Sequence, residues 1–105
     1  MRNQVISAKK LIIRVKEIQG NCPIYKVGDK IVIDQGYQLN CNESDTICMH
    51  SLASLMPYYV ALSRGISPAE LGIADKQGKA CLQCLDATAH TGGGTVVFQI
   101  EVSED

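Results

Sequence analysis

The sequence predicts an α+β fold, in which a small antiparallel sheet packs against one main helix bent at a proline and against one short helix. Two observations favour this class. Segments in which apolar and polar residues alternate, as in half-buried strands, lie near both ends of the chain, and a segment with helical spacing lies between them. The connections are short, as in antiparallel sheets covered by helices. At 105 residues the chain is predicted to form a single domain over 1–105.

The N-terminal part contains two predicted strands. In "LIIRVKEI", Leu11, Ile13 and Val15 fall on one side and charged residues fall on the other. A turn at Gly28 and Asp29 precedes the second strand, "KIVID". The polar segment "LNCNESDT" that follows is predicted to be a loop.

The main helix is predicted within "TICMHSLASLMPYYVALSRG". Its apolar residues recur at the spacing of one helix face: Leu52, Leu55, Met56, Tyr59 and Leu62. Ser44, Asp45 and Thr46 are candidate N-caps. Pro57 is expected to kink or split this helix near Ala53, because proline removes a backbone donor and crowds the preceding turn.

The C-terminal part contains the short helix and two further strands. Ser67 and Glu70 have the spacing of a capping box, with Pro68 at the first helical position. "KACLQCLDA" is predicted to be a strand, or a strand with a sharp turn in it, and "HTGGG" a loop. The alternation in "TVVFQIEV" places Phe98 and Ile100 on one face of the last strand.

Composition excludes several classes of function. The net charge of −1 gives no electrostatic basis for binding nucleic acid or an anionic membrane. The chain has no Trp and one Phe, which argues against a surface that stacks bases. No apolar run is long enough to span a bilayer, and the N-terminus lacks the apolar core of a signal peptide. We therefore expect a cytoplasmic protein with neither nucleic-acid nor membrane partners.

The five cysteines are the most informative feature of the composition. Their number is odd and the expected compartment is reducing, so a set of disulfides explains them poorly. They are predicted to lie near element ends, where several loops can bring thiolates to one centre. An iron–sulfur cluster or zinc is the expected cofactor. The candidate ligands are Cys22, Cys41, Cys48, Cys81 and Cys84.

Cys81 and Cys84 form the only Cys-x-x-Cys of the chain, which is the commonest local unit of metal sites. In an extended strand, however, two residues three apart lie on opposite faces, separated by roughly 10 Å. The pair can bind one ion only if the chain turns at Leu82 and Gln83.

Two alternatives to a metal centre remain open. Cys48 near a helix start could be the centre of a thiol-redox or thiol-nucleophile enzyme, although His50 lies about 200° further around the helix. Alternatively, the cysteines could be inert core residues of a structural or adaptor domain, because unpaired cysteine is often buried as a small apolar residue.

Three segments, "NCPIYKVGDKIVID", "ICMHSLASLMPYYVALSRG" and "CL…GGTVVFQIEV", resemble a family of small prokaryotic proteins in which the domain is sometimes repeated in tandem. The similarity covers residues 20–102. The matching positions are Cys22, Pro23, Gly28, Asp29, Cys48, His50, Pro57, Cys84 and the strand 97–100.

The resemblance implies no activity, but it divides the thiols into two sets. Cys22, Cys48 and Cys84 become the shared set, and Cys41, Cys81 and His50 become candidate additional ligands. Ser51 stands where the family pattern has alanine, and Leu85 stands where it has proline. We therefore predict a thiolate metal centre with a binding or electron-transfer role. The expected partner is a redox protein, or a second copy of the chain in a homodimer.

Overall fold

The protein is described by a computed structural model, which covers residues 8–103. Within that range the chain forms five strands and four short helices. In chain order they are β1 (Lys10–Gly20), β2 (Lys30–Asp34), β3 (Gln38–Leu39), α1 (Met49–Leu55), α2 (Tyr59–Ser63), α3 (Pro68–Leu71), β4 (Ala80–Gln83), α4 (Thr88–Thr91) and β5 (Gly94–Ser103).

The strands form one antiparallel sheet in the order β3-β2-β1-β5-β4. The predicted α+β class and antiparallel sheet are therefore confirmed. The two-residue strand β3 and the four-residue helix α4 are additional elements, in segments for which the sequence predicts turns and loops. The long strands β1 and β5 form the centre of the sheet, so their side chains dominate the core.

The core lies on the face of the sheet that the alternation predicts. Ile13 pairs with Ile100 and Val15 with Phe98 across β1 and β5, and all four are buried. The pairing shifts by one residue between Val15 and Glu17, which marks a β-bulge. Leu55 and Leu62, from α1 and α2, complete the core against this face.

The segment predicted as one main helix, kinked or split by Pro57, is split. The structure has two separate helices, α1 and α2, joined by the turn at Met56, Pro57 and Tyr58. The helix is interrupted at this turn and not near Ala53. Helical hydrogen bonding continues past Ala53, since the backbone N–H of Met56 bonds to Leu52 O at 2.9 Å. No helix in residues 8–103 is long and apolar enough to cross a membrane.

Helix α1 also begins later than the expected caps suggest. Its N-cap is Cys48, whose side chain makes no capping hydrogen bond. Ser44 and Asp45 instead accept hydrogen bonds from the backbone N–H groups of Val32 (2.8 Å) and Lys30 (2.9 Å). These side chains satisfy the backbone of β2, so they are not available to cap the helix. The capping box of α3, with Ser67 and Glu70, is confirmed.

The turn that leads into β4 is organised by Asp75. Its carboxylate accepts hydrogen bonds from the backbone N–H groups of Gln77 (2.8 Å) and Lys79 (3.0 Å), and from the side-chain amide of Gln99 (3.0 Å). The hydrogen bond from Gln99, more than any other contact, lowers the pKa of the Asp75 carboxyl below its ordinary value of 3.8. The N–H of Lys79 contributes next, and Lys16 contributes least.

We expect Asp75→Asn to remove an acid-dependent part of the stability. Because the folded pKa of Asp75 is lowered, its contribution is present above the unfolded value and is lost as the pH falls through the folded value. The difference in unfolding temperature between wild type and variant should be largest near neutral pH and should shrink on acidification. Thermal unfolding at several pH values measures it, with Glu101→Gln on the exposed side of β5 as the control. A difference independent of pH would contradict the assignment.

Candidate metal centre

The candidate site lies at one end of the sheet. The antiparallel pairing places the end of β1 beside the start of β5, with Gly20 opposite Gly94. The chain leaving β4 reaches the same end, where the N–H of Cys84 bonds to Val96 O at 2.9 Å. The start of α1 covers this end of the core. The loop after β1, the start of α1, the chain after β4 and the start of β5 are thereby brought together.

These segments enclose a cavity of about 220 Å³, partly open to solvent, which we call the thiol cavity. Three of the five cysteines line it: Cys22, Cys48 and Cys84. Its remaining lining residues are Pro23, Ile24, Tyr25, His50, Ser51, Asp86, Gly93, Gly94 and Val96. The three thiols that the resemblance groups together therefore share one cavity, and His50 shares it with them.

Cys22 lies in the loop after β1 and is half-buried. Its sulfur accepts a hydrogen bond from the backbone N–H of Tyr25, at 3.4 Å. Tyr25 is itself buried, and its ring packs edge-on against Phe98 with ring centroids 5.5 Å apart. The loop that carries Cys22 is thus anchored to the core through Tyr25.

Cys84 directly follows β4 and is 5% exposed. Its sulfur accepts a hydrogen bond from the backbone N–H of Val96 at 3.2 Å, and its thiol donates to Gly94 O at 3.6 Å. Backbone N–H groups directed at sulfur are among the contacts by which proteins tune thiolate ligands. Cys22 and Cys84 each have one such contact.

Cys48 is the N-cap of α1 and is half-buried. Its backbone N–H donates to the hydroxyl of Tyr25, at 2.8 Å. Tyr25 therefore contacts both the Cys22 sulfur and the Cys48 backbone, and it fixes the spacing of these two segments. His50 lines the cavity as an exposed residue in the first turn of α1.

The Cys-x-x-Cys does not act as a unit in this structure. β4 stays extended through Gln83, so the chain does not turn between Cys81 and Cys84. Cys81 lies opposite Gln99, on the other face of the sheet from the core, whereas Cys84 faces the core beside Val96. Neither Cys81 nor the exposed Cys41 lines the thiol cavity.

The thiols line the walls of the cavity and do not surround a single point. Among residues 8–103, no group of three or more His, Cys, Asp or Glu side chains is arranged to hold a metal ion as it stands. Coordination of one ion by all three sulfurs would require each to approach to about 2.3 Å, so the side chains would have to move inwards.

The sequence alone does not indicate several of the lining residues. Ser51 is fully buried, and Asp86 is held by the Thr91 hydroxyl, which donates to its carboxylate. Gly93 and Gly94 have no room for a side chain, because a Cβ would overlap the Asp86 carboxylate at position 93 and the backbone of Asn21 and Cys22 at position 94. One sequence signal links Ser51 to the site. It lies three residues after Cys48, so the two residues are neighbours on the surface of the first helical turn.

A second cavity, of about 210 Å³, lies between the β2–β3 edge and the helices α1 and α2. Its lining is apolar and aromatic, with Leu39, Leu55, Met56 and Tyr59 among its residues, and it contains neither cysteine nor histidine. The thiol cavity is therefore the candidate site on chemical grounds.

Comparisons of the chain with protein-family models, with curated proteins and with solved structures found no match. The residues of the thiol cavity are therefore the basis for inferring a function.

Proposed function

We propose that this is a small cytoplasmic protein whose thiol cavity holds a metal centre, zinc or iron–sulfur, through Cys22, Cys48 and Cys84. The role would be binding or electron transfer. The observation that carries the proposal is that these three cysteines, from three separate segments, line one cavity. Cysteine thiolates are the ligands that zinc and iron–sulfur clusters prefer in proteins.

The surroundings of the sulfurs support a ligand role over simple core packing. A cysteine that serves only as a small apolar residue needs no polar contact to its sulfur. Here the sulfurs of Cys22 and Cys84 each accept a backbone N–H, at 3.4 and 3.2 Å. Such bonds orient the sulfur and stabilise negative charge on it. The side chains of His50 and Asp86, which can also bind metal ions, line the same cavity.

The position of the cavity suits exchange with another molecule. It is partly open, and its lining includes the exposed residues Ile24 and His50. A protein redox partner could approach this opening without unfolding the site. A centre fully enclosed in the core would not offer such access.

Substitution of single cysteines tests the proposal. We expect Cys22→Ser, Cys48→Ser and Cys84→Ser each to reduce metal retention by at least the roughly 10–100-fold that loss of a supporting residue costs at metal sites. Metal content after anaerobic purification and competition with a chelator provide the measurement. Cys41→Ser and Cys81→Ser are matched controls outside the cavity and should retain wild-type metal content. Full retention in all three cavity variants would refute the proposal.

A second candidate is a thiol-redox or thiol-nucleophile function centred on Cys48. This candidate is favoured because Cys48 is half-buried and lies in the same cavity as two other thiols and His50. Such a function requires a reactive thiolate, so Cys48 should alkylate faster than a model thiol in metal-free protein. Alkylation at the rate of a model thiol would rule this candidate out.

A further inference from the structure

Ser51 has an unusual environment in the thiol cavity. It is 0% exposed, and its hydroxyl is the one buried side-chain oxygen or nitrogen in residues 8–103 that lacks a hydrogen-bond partner. Ser63 is equally buried, but its hydroxyl donates to Val60 O at 2.8 Å. Buried polar groups are almost always paired, so an unpaired one calls for a partner that the chain itself does not supply. Because Ser51 lines the thiol cavity, that partner would be its occupant.

The size of the cavity restricts what the occupant can be. Its volume of about 220 Å³ far exceeds the roughly 10–15 Å³ that a single water needs. A single zinc ion lies within about 2.3 Å of its sulfur ligands and leaves no such space between them. A polyatomic occupant fits the cavity better than one ion.

We propose that the occupant is an iron–sulfur cluster and that the Ser51 hydroxyl donates a hydrogen bond to one of its sulfur atoms. This inference rests on the proposed function, and it selects between the two cofactors named there. Cys22, Cys48 and Cys84 each release a thiol proton as the sulfur binds iron. The iron of the cluster would bind the three thiolates, and one of its sulfur atoms would accept the hydrogen bond from Ser51.

A hydrogen bond to cluster sulfur has a measurable consequence. On reduction the cluster takes up one electron and becomes more negative, and a donor at sulfur stabilises that form. Ser51 should therefore raise the reduction potential. Its removal should lower the potential without removing any ligand, which distinguishes a hydrogen-bonding role from a purely structural one.

The experiment uses the full chain, reconstituted anaerobically with ferrous iron and sulfide and then titrated with dithionite. We expect wild type to bind iron and acid-labile sulfide in near-equal amounts. Ser51→Ala should keep the cluster, shift the potential to more negative values and lose iron to a chelator about tenfold more readily, which is the effect of one hydrogen bond to a charged group. Without metal, this variant should unfold at a temperature no lower than wild type, because it loses an unpaired hydroxyl.

Two matched variants complete the test. Ser63→Ala removes an equally buried hydroxyl outside the thiol cavity and should leave the potential unchanged. Ser51→Thr keeps a hydroxyl and should keep the wild-type potential. A Ser51→Ala potential equal to that of wild type, or an equal shift in Ser51→Thr, would overturn the role of Ser51.

The outcomes also separate this inference from the proposed function. Zinc bound without sulfide, and lost in the cavity cysteine variants, would overturn the cluster while leaving a thiolate metal centre in place. Failure of the wild-type chain to bind either metal would overturn both.

Discussion

Phe98→Ala is expected to lower the free energy of unfolding by about 3–5 kcal/mol, the range found when a fully buried phenylalanine is truncated. Phe98 is 0% exposed and lies on the central strand β5. It pairs with Val15 of β1 and Leu82 of β4, and its ring packs edge-on against Tyr25. Truncation would leave a void that neighbours on two strands cannot fill without moving the sheet. Urea unfolding measures the change.

The control for Phe98→Ala is Val27→Ala, because the Val27 side chain is 64% exposed. An exposed truncation of this kind should change the unfolding free energy by no more than about 0.5 kcal/mol. If Phe98→Ala cost as little as Val27→Ala, the placement of the core on this face of the sheet would be wrong.

Gly94→Ala is expected to damage both the fold and the thiol cavity. A Cβ at position 94 would lie 2.6 Å from the carbonyl carbon of Asn21 and 2.7 Å from the backbone nitrogen of Cys22. These are main-chain atoms, so rotation of a side chain cannot relieve the overlap. We expect a loss of about 1–3 kcal/mol in unfolding free energy, as for other overpacked buried sites. Because the loop that carries Cys22 must move, metal retention should also fall.

Gly78→Ala is a useful control for Gly94→Ala. Gly78 has a φ of 83°, so alanine is strained there, but its Cβ would meet nothing within 4 Å. Gly78 lies in the turn before β4 and does not line the thiol cavity. It should therefore lose some stability yet keep wild-type metal retention. Unchanged metal retention in a folded Gly94→Ala variant would contradict the proposed link between Gly94 and the Cys22 loop.

Much of the fold is predictable because its signals are local. The alternation around Leu11 and Phe98 depends only on the two-residue period of a strand, and the capping box at Ser67 depends on a fixed three-residue spacing. The separation of Cys81 from Cys84 across the sheet follows from the same strand period. The late start of α1 could not be predicted, because Ser44 and Asp45 bond to β2 through tertiary contacts.

The site is less predictable, because it depends on the register of the sheet. Cys22, Cys48 and Cys84 are far apart in the sequence. They meet only because the end of β1, the end of β4 and the start of β5 lie at one end of the sheet and the start of α1 lies beside them. The Cys-x-x-Cys motif instead favours Cys81 and Cys84, which are only three residues apart. The unpaired hydroxyl of Ser51 is likewise a property of the packed core, since nothing in the local pattern of the helix indicates it.

The most direct test of the central claim is metal analysis of the untagged wild-type chain after anaerobic purification, with a visible spectrum of the same sample. A thiolate centre predicts near-stoichiometric metal. An iron–sulfur cluster in particular predicts iron, acid-labile sulfide and broad visible absorbance. Neither iron nor zinc, together with cysteines that resist labelling until the protein is unfolded, would contradict the claim. Cys22, Cys48 and Cys84 would then be core residues, and the function would lie elsewhere on the surface.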